Sequence, residues 1–285
     1  MKQKLQPIVE PIVKWYQKQE KTLPWKQDKE PYHIWVSEIM LQQTRIEAVK
    51  KYYTRFMKEL PTIQDLAVVP EEKLLKLWEG LGYYSRAKNL KKSAIQIQEN
   101  NHGKMPTSYV ELLKLPGIGE YTAGAIASIS YNEKVPAVDG NVLRVVSRVL
   151  ASKEDVLLPE TKKKITNKLL EIMPDEAGDF NEGLMELGEK ICLPNTLPLC
   201  ATCPIQEFCM VNKENLTNEI PVRAKKQKRK IENKTVFILK YKNEIAIRKR
   251  EKTGILANLY EFPNVIRGSN RRGNSKDLRA MANTI

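Results

Sequence analysis

LPGIGEYTAGAIAS, residues 115–128, sets a proline and two glycines ahead of a run of small and apolar side chains. Glu111 to Lys114 read as the end of one helix, Pro116 to Gly119 as a tight turn, and Glu120 onward as the start of another. Gly117 and Gly119 permit positive φ and a close approach of the backbone. Backbone N–H groups in such a turn, beside a helix N-terminus, form an anion site suited to a phosphate. The competing reading is a simple turn between helices. Followed by YTAGAIAS, the stretch reads instead as a hairpin that holds a DNA phosphate, positioning a duplex without reading its sequence.

Outward from this hairpin the pattern is helical from residue 1 to about 220. Leu5, Ile8, Val9, Ile12, Val13 and Tyr16 recur at three-to-four spacing, as do Leu74, Leu75, Leu77 and Trp78 behind Pro70 and Glu71. Further helices are predicted over 34–46, 87–97, 118–129, 142–150, 165–172 and 183–191, with Pro or Gly at the joints. No βαβ alternation and no internal repeat is visible. After residue 230 the texture changes: TVFILKY and EIAIRKR, separated by Lys242 and Asn243, read as a β-hairpin, and NLYEFPNV follows. A hairpin of this length cannot fold alone, so a second, incomplete domain is expected. Residues 268–285 lack any period and read as a disordered tail.

The net charge of +14 invites a nucleic-acid partner, but its distribution matters more. Residues 1–220 carry 30 Lys and Arg against 29 Asp and Glu, whereas residues 221–285 carry 18 against 5. A basic run such as RAKKQKRK at 223–230 reads as a solvated linker, able to hold phosphate through counterion release. DNA binding by the main body must therefore rest on motifs. No run of about 18 apolar residues is present, and the N-terminus is broken by charges and prolines, so no membrane association is expected and the cytoplasm is the default.

All 4 cysteines, Cys192, Cys200, Cys203 and Cys209, fall in one window with the spacing C-x7-C-x2-C-x5-C. A disulfide framework does not suit a chain of 285 residues with no export signal. Four thiolates suit zinc or a [4Fe–4S] cluster. The single C-x2-C pair, where a zinc ribbon would show two, favours iron–sulfur.

Two carboxylates complete the picture. Glu38 sits among Ile34, Trp35, Ile39, Met40 and Leu41, on an apolar helix with little reason to hold an acid. Asp139 precedes Val142, Leu143 and Val146, where the plain reading is a helix N-cap. Removing a purine from DNA needs an acid to protonate the leaving base and a negative group facing the oxocarbenium-like sugar, the same two tasks as glycoside hydrolysis. An apolar setting such as that of Glu38 raises a carboxyl pKa towards the acid role. His33 and His102, the only 2 histidines, leave little basis for a Ser-His-Asp triad or a His-rich metallohydrolase.

LPGIGEYT, VDGNVLRV and the four-cysteine loop, in this order, resemble the endonuclease III superfamily of DNA glycosylases. With LPW at 23–25, PYHIWVSEIMLQQT at 31–44, GLGYYSRA at 80–87 and FNEGLMELG at 180–188, the chain is similar to the MutY-type adenine DNA glycosylases over residues 5–220. The resemblance implies a mainly α, two-lobed helix–hairpin–helix fold. Residues 30–135 would form a six-helix barrel, and residues 1–29 plus 136–220 a lobe holding a [4Fe–4S] cluster on Cys192, Cys200, Cys203 and Cys209. Residues 221–230 would be a basic linker and 231–267 a truncated, α+β Nudix-like segment.

The resemblance also implies removal of adenine mispaired with 8-oxoguanine or guanine in double-stranded DNA, by a monomer. Glu38 would be the general acid, Asp139 would stabilise the sugar cation, and Tyr121 and Asn141 would support them. Relatives in the superfamily that also cut the strand carry a lysine at the position of Tyr121; a Schiff base needs an amine, so an abasic site in an intact strand is expected. Gln42, Gln43, Thr44, Leu81, Gly82 and Tyr83, with Gly117 and Gly119 of the hairpin, would face DNA. Leu23, Trp25 and Glu182 would line the adenine pocket. The chain departs from the family in a first cysteine interval of seven residues instead of six. It also lacks the family's C-terminal Phe-Ser-His-type reading loop, from which weaker discrimination of 8-oxoguanine over guanine is expected. The alternatives are a thymine or uracil mismatch glycosylase of the same superfamily and a non-catalytic iron–sulfur DNA-binding protein.

Overall fold

The computed structural model describes residues 5–224, 231–251, 253, 256 and 259–266. The expected tail over 268–285 and most of the basic linker lie outside these residues. The chain divides into two compact units, Met1–Ala224 and Lys225–Ile285.

The first unit is helical: α1 (Val9–Gln17), α2 (Pro31–Leu41), α3 (Ile46–Glu59), α4 (Ile63–Val68), α5 (Glu71–Trp78), α6 (Ser85–Asn101), α7 (Tyr109–Leu112), α8 (Glu120–Tyr131), α9 (Gly140–Val149), α10 (Pro159–Leu170), α11 (Ala177–Lys190) and α12 (Met210–Glu214). Local chemistry starts these helices where the sequence indicates. Pro31 and Pro159 occupy first-turn positions, where a missing N–H costs nothing. Thr62 and Asp65 form a capping box at α4. Asp139 caps α9 by accepting the Val142 N–H at 2.8 Å.

The helix expected over 34–46 stops earlier, at Leu41. Gln42 leaves helical geometry with ψ 110° and Gln43 adopts φ +58°. The carbonyls of Ile39 and Met40 at the end of α2 are taken up by the Arg86 guanidinium instead of by further helix.

Two hydrophobic cores organise this unit. One gathers buried residues from Trp25 to Ala137; the other joins Leu5–Val13 to residues from Val138 to Ile205. The chain crosses between them at Ala137 and Val138, immediately before Asp139. The small residues of the opening motif now have a purpose: Ala123, Gly124, Ala125, Ala127 and Ser128 are wholly buried. Their size lets α8 lie close to α2 on one side and to α11 on the other. A Cβ on Gly124 would lie 2.6 Å from the Pro136 carbonyl oxygen, which no backbone can yield cheaply.

Gly117 has φ +79°, as the turn requires. Gly119 does not: at φ −96°, ψ 179° it is an extended N-cap residue of α8, which any residue could adopt. No protein atom lies within 4 Å of a Cβ placed there, so the space in front of Gly119 is open.

The second unit consists of short antiparallel pairs. β1 (Lys234–Val236) pairs with β6 (Asn264–Ile266), β2 (Lys240–Tyr241) with β3 (Glu244–Ile245), and β4 (Arg248–Lys249) with β5 (Tyr260–Glu261). The expected hairpin is thus confined to its tip around Lys242 and Asn243. Its outer ends turn to YEFPNV, where Arg248 pairs with Glu261 at 2.9 Å across the strands.

Asn181 on α11 stitches the two cores of the first unit. Its side chain accepts the Ala137 N–H at 3.0 Å and donates to Ser128 Oγ at 2.8 Å and the Val135 carbonyl at 2.9 Å. Replacing it strands buried partners, so Asn181→Ala is expected to lower unfolding free energy by about 2–4 kcal/mol, read from urea midpoints at constant slope.

Candidate active site

Helix α2 is buried nearly all round, through Tyr32, Ile34, Trp35, Val36, Ser37, Ile39 and Met40. Glu38 is the one acid on it, half-buried where the two cores meet. Burial pushes its carboxyl up to about 7, and the charges of Asp139 and Glu182 push in the same direction. A hydrogen bond with the Tyr121 hydroxyl and the charge of Lys26 act against this, without prevailing. Near neutral pH Glu38 can therefore hold a proton and give it up.

Asp139 faces it from the N-terminus of α9. Burial raises its carboxyl too, and the rise survives the Val142 N–H at 2.8 Å, the Asn141 Nδ2 at 2.8 Å and the Arg144 charge, which act against it. These donors favour the ionised form. The two neighbouring carboxyls thus sit in contrasting settings, Glu38 against other acids and Asp139 against donors.

The Asn141 amide is held in turn. Arg144 Nη2 donates to Asn141 Oδ1 at 2.9 Å and to the Gly188 carbonyl at 2.7 Å, while its Nε reaches the Cys192 carbonyl at 2.7 Å. The side chain of Asp139 is thereby tied to the cysteine loop.

Tyr121, just inside α8, donates to Met185 Sδ at 3.2 Å and lies within hydrogen-bonding reach of Glu38. Burial, then the charges of Glu38 and Asp139, drive its hydroxyl well above the usual tyrosine value, so it stays a neutral donor. Below it runs a buried ion network. Lys26 Nζ lies 2.7 Å from Glu186 and 3.6 Å from Glu182, and Lys190 lies 2.6 Å from Glu186. Burial acts against the charge on Lys26; Glu182 and Glu186 outweigh it and raise the ammonium above its ordinary value.

The remaining expected residues divide. Gln42, Gln43 and Thr44 form the loop after α2, and Leu81, Gly82 and Tyr83 the loop before α6. Arg86 joins the two loops, donating to the carbonyls of Gln42 at 2.7 Å and Leu81 at 3.0 Å. Tyr83 is 61% exposed, while Leu81 is buried at 6%. Trp25 is a core residue, edge-on to Tyr53 at 5.4 Å, and Leu23 packs on the same cluster. Glu182 is buried beside Lys26, close enough to Glu38 to raise it.

The four cysteines come together. Cys192, Cys200, Cys203 and Cys209 line one small pocket with apolar walls that include Val145, Val149, Leu187 and Ile191. Burial and the neighbouring cysteines push the Cys203 thiol up to about 12. Arg148 Nη1 donates to Cys192 Sγ at 3.2 Å. Among the described residues, no three His, Cys, Asp or Glu side chains close on a single ion. The thiols rim one pocket, a soft donor set of the kind that suits zinc or iron–sulfur.

Residues 36–175 match the model of the HhH-GPD superfamily base excision DNA repair proteins. The adenine DNA glycosylase of Buchnera aphidicola subsp. Baizongia pistaciae is 40% identical over 262 residues, covering 90% of this chain and 73% of that protein. The chain belongs to the adenine DNA glycosylase family. Its human relative is 41% identical over 210 residues, which are 70% of this chain and 38% of that protein. Among solved structures, a thermostable thymine-DNA glycosylase superposes with a TM-score of 0.67 at 27% identity, over 74% of this chain and 98% of that one. An endonuclease III from a non-covalent DNA complex superposes at 0.62 with 24% identity, over 76% of this chain and 98% of that one, and shares the fold.

Arg86, Arg144, Arg148, Lys26 and Met185 were not singled out from the sequence. The arginines of VLRVVSR carried a faint signal, two cations among buried valines on one helix. Nothing marked the others before packing brought them to the site.

The folded pKa of Glu38, about 7, exceeds the ordinary value of 4.5. The folded chain therefore binds the extra proton between these values, and stability from this group, full below about 4.5, is lost as pH rises through about 7. Glu38→Gln is expected to stabilise the fold relative to wild type by about 1–3 kcal/mol above pH ~8 and by little near pH ~4.5. Urea unfolding at the two pH values checks this; an equal difference at both would show that the carboxyl is not desolvated.

Proposed function

We propose that this chain is a base-excision repair enzyme that hydrolyses the N-glycosidic bond of adenine mispaired with 8-oxoguanine or guanine in duplex DNA. One observation carries the reading: a carboxyl raised to about 7 on α2 faces a donor-held carboxyl at the N-cap of α9. Glu38 protonates the flipped adenine at N7, making it a neutral leaving group. Asp139, ionised, faces the oxocarbenium-like sugar, with Asn141 holding its orientation; a water then adds at the sugar carbon that lost adenine and gives its proton to the Glu38 carboxylate. Tyr121, its hydroxyl within hydrogen-bonding reach of Glu38, keeps that carboxyl aligned.

The strand is left intact. Tyr121 is no amine, and Lys26, the cation that bears on Glu38, is held as an ammonium by Glu182 and Glu186. A charged lysine is not a nucleophile. The hairpin N–H groups around Gly117 and Gly119 hold a phosphate, where no protein atom crowds Gly119. Gln42, Gln43, Thr44, Gly82 and Tyr83 face the strands while Leu81, expected among them, packs into the core, and Leu23, Trp25 and Glu182 bound the adenine pocket. Cys192, Cys200, Cys203 and Cys209 hold a [4Fe–4S] cluster; when bound, it staples the loop whose Cys192 carbonyl anchors Arg144. The thymine alternative has weaker support, resting on a relative of 27% identity against 40% for adenine enzymes.

The test is a labelled duplex with adenine opposite 8-oxoguanine or guanine, incubated with excess protein and divided before heating in alkali. Cleavage at adenine only after alkali is expected; cleavage without alkali would refute the monofunctional reading, and none at all would refute the activity. Glu38→Gln and Asp139→Asn are each expected to slow the reaction roughly 10²–10⁴-fold while leaving duplex binding. Purified protein is expected to be brown and to lose colour and its iron in Cys203→Ser; colourless protein carrying zinc would remove the cluster assignment.

A further inference from the structure

Arg86 opens α6, only 9% exposed, and no carboxylate pairs with it among the described residues. Its guanidinium is spent on backbone. Nη1 donates to the carbonyls of Ile39 at 2.7 Å, Met40 at 3.0 Å and Gln42 at 2.7 Å. Nη2 donates to Leu81 at 3.0 Å and Gly82 at 3.3 Å, and reaches Thr44 Oγ1 at 3.4 Å. The same group lies 5.4 Å from the Trp78 ring and 5.6 Å from the Tyr83 ring. A buried cation costs free energy unless it is satisfied; here both Nη groups are satisfied by two loops and one helix end, and only the buried Nε is left without a partner.

Those loops need holding. Gln43 at φ +58° and Tyr83 at φ +48° both occupy the left-handed region, which side chains other than glycine rarely adopt. Such residues persist only where the surroundings over-determine them. The carbonyls of Ile39 and Met40 follow Glu38 directly and lie at the negative end of the α2 dipole, so a cation there also anchors the helix that carries the proposed acid.

The geometry points to Arg86 as the positioning residue for base extrusion: it locks the 42–44 and 81–83 loops into one rigid wedge and presents Tyr83 to the duplex. This inference rests on the glycosylase reading above. A wedge returns the cost of unstacking a base only if it is already in place. Lysine cannot replace the fork, because one nitrogen with three donors cannot span acceptors on two loops.

The experiment compares wild type, Arg86→Lys and, as a stability control, Ile97→Ala, which removes a fully buried side chain of α6 remote from both loops. Duplexes carry adenine opposite guanine for single-turnover rates, and 2-aminopurine in place of that adenine for the fluorescence rise on extrusion. Arg86→Lys is expected to slow both extrusion and cleavage tenfold or more, with the pH midpoint of cleavage unmoved. Ile97→Ala is expected to lower the melting temperature and leave extrusion within twofold of wild type. Should Arg86→Lys not fold, Arg86→Gln, which keeps a planar pair of donors, takes its place with the same expectation. Extrusion at the wild-type rate in the Arg86 variant would overturn the inference, as would an equal loss in Ile97→Ala. A wild-type protein inactive on the duplex would instead overturn the glycosylase reading itself.

Discussion

The carboxyl of Glu38 is surrounded by a helix that offers it nothing, and its proton affinity is set by what the second core brings opposite. Burial is the largest influence and pushes it up. The nearby charge of Asp139 and Glu182 raises it further, while Tyr121 and Lys26 pull it back to near neutrality. That balance depends on α2, α8, α9 and α11 meeting at one place. The small residues of α8 and the side chain of Asn181 permit that meeting, because larger or unpaired groups would hold the helices apart.

Helix α9 does two jobs with one set of turns. Its N-terminus caps onto Asp139, while Arg144 and Arg148, on successive turns, reach the cysteine loop through the Cys192 carbonyl and sulfur. The buried valines of the same helix, Val142, Val145, Val146 and Val149, form the floor of the second core. The cysteine loop is therefore linked to Asp139 through two hydrogen-bonded side chains, Arg144 and Asn141.

The surface proposed to meet DNA is built on a different principle. Its loops are short and backbone-rich, two of their residues sit in uncommon φ, and a single guanidinium collects their carbonyls. Rigidity here comes from satisfying a buried cation with backbone oxygen, where the acid site obtains its properties from withholding such partners. Tyr83 stands exposed with its ring against the Arg86 guanidinium.

Much of this was legible in the residues themselves. Periodicity marked α1, α5, α8 and α9, the prolines and caps marked their starts, and the P-G-x-G turn, the cysteine spacing and the isolated acid in SEIMLQQT pointed to chemistry because each is costly to place anywhere without a use. Local signals of this sort act over one or two turns of chain, and so they survive in a single sequence. They failed where a distant group decided the outcome. The helix expected to 46 ends at Leu41 because Arg86, more than forty residues away, claims its last carbonyls; Gly119 is extended because the turn closes on Gly117; and the outer hairpin strands pair with YEFPNV. The sequence by itself determined a helical chain carrying an acid, a cap, a phosphate-sized turn and a thiolate set. Only the tertiary structure decided that the acid and the cap face one another and that Lys26 stays charged, because proton affinity is a property of neighbours, and neighbours are chosen by packing.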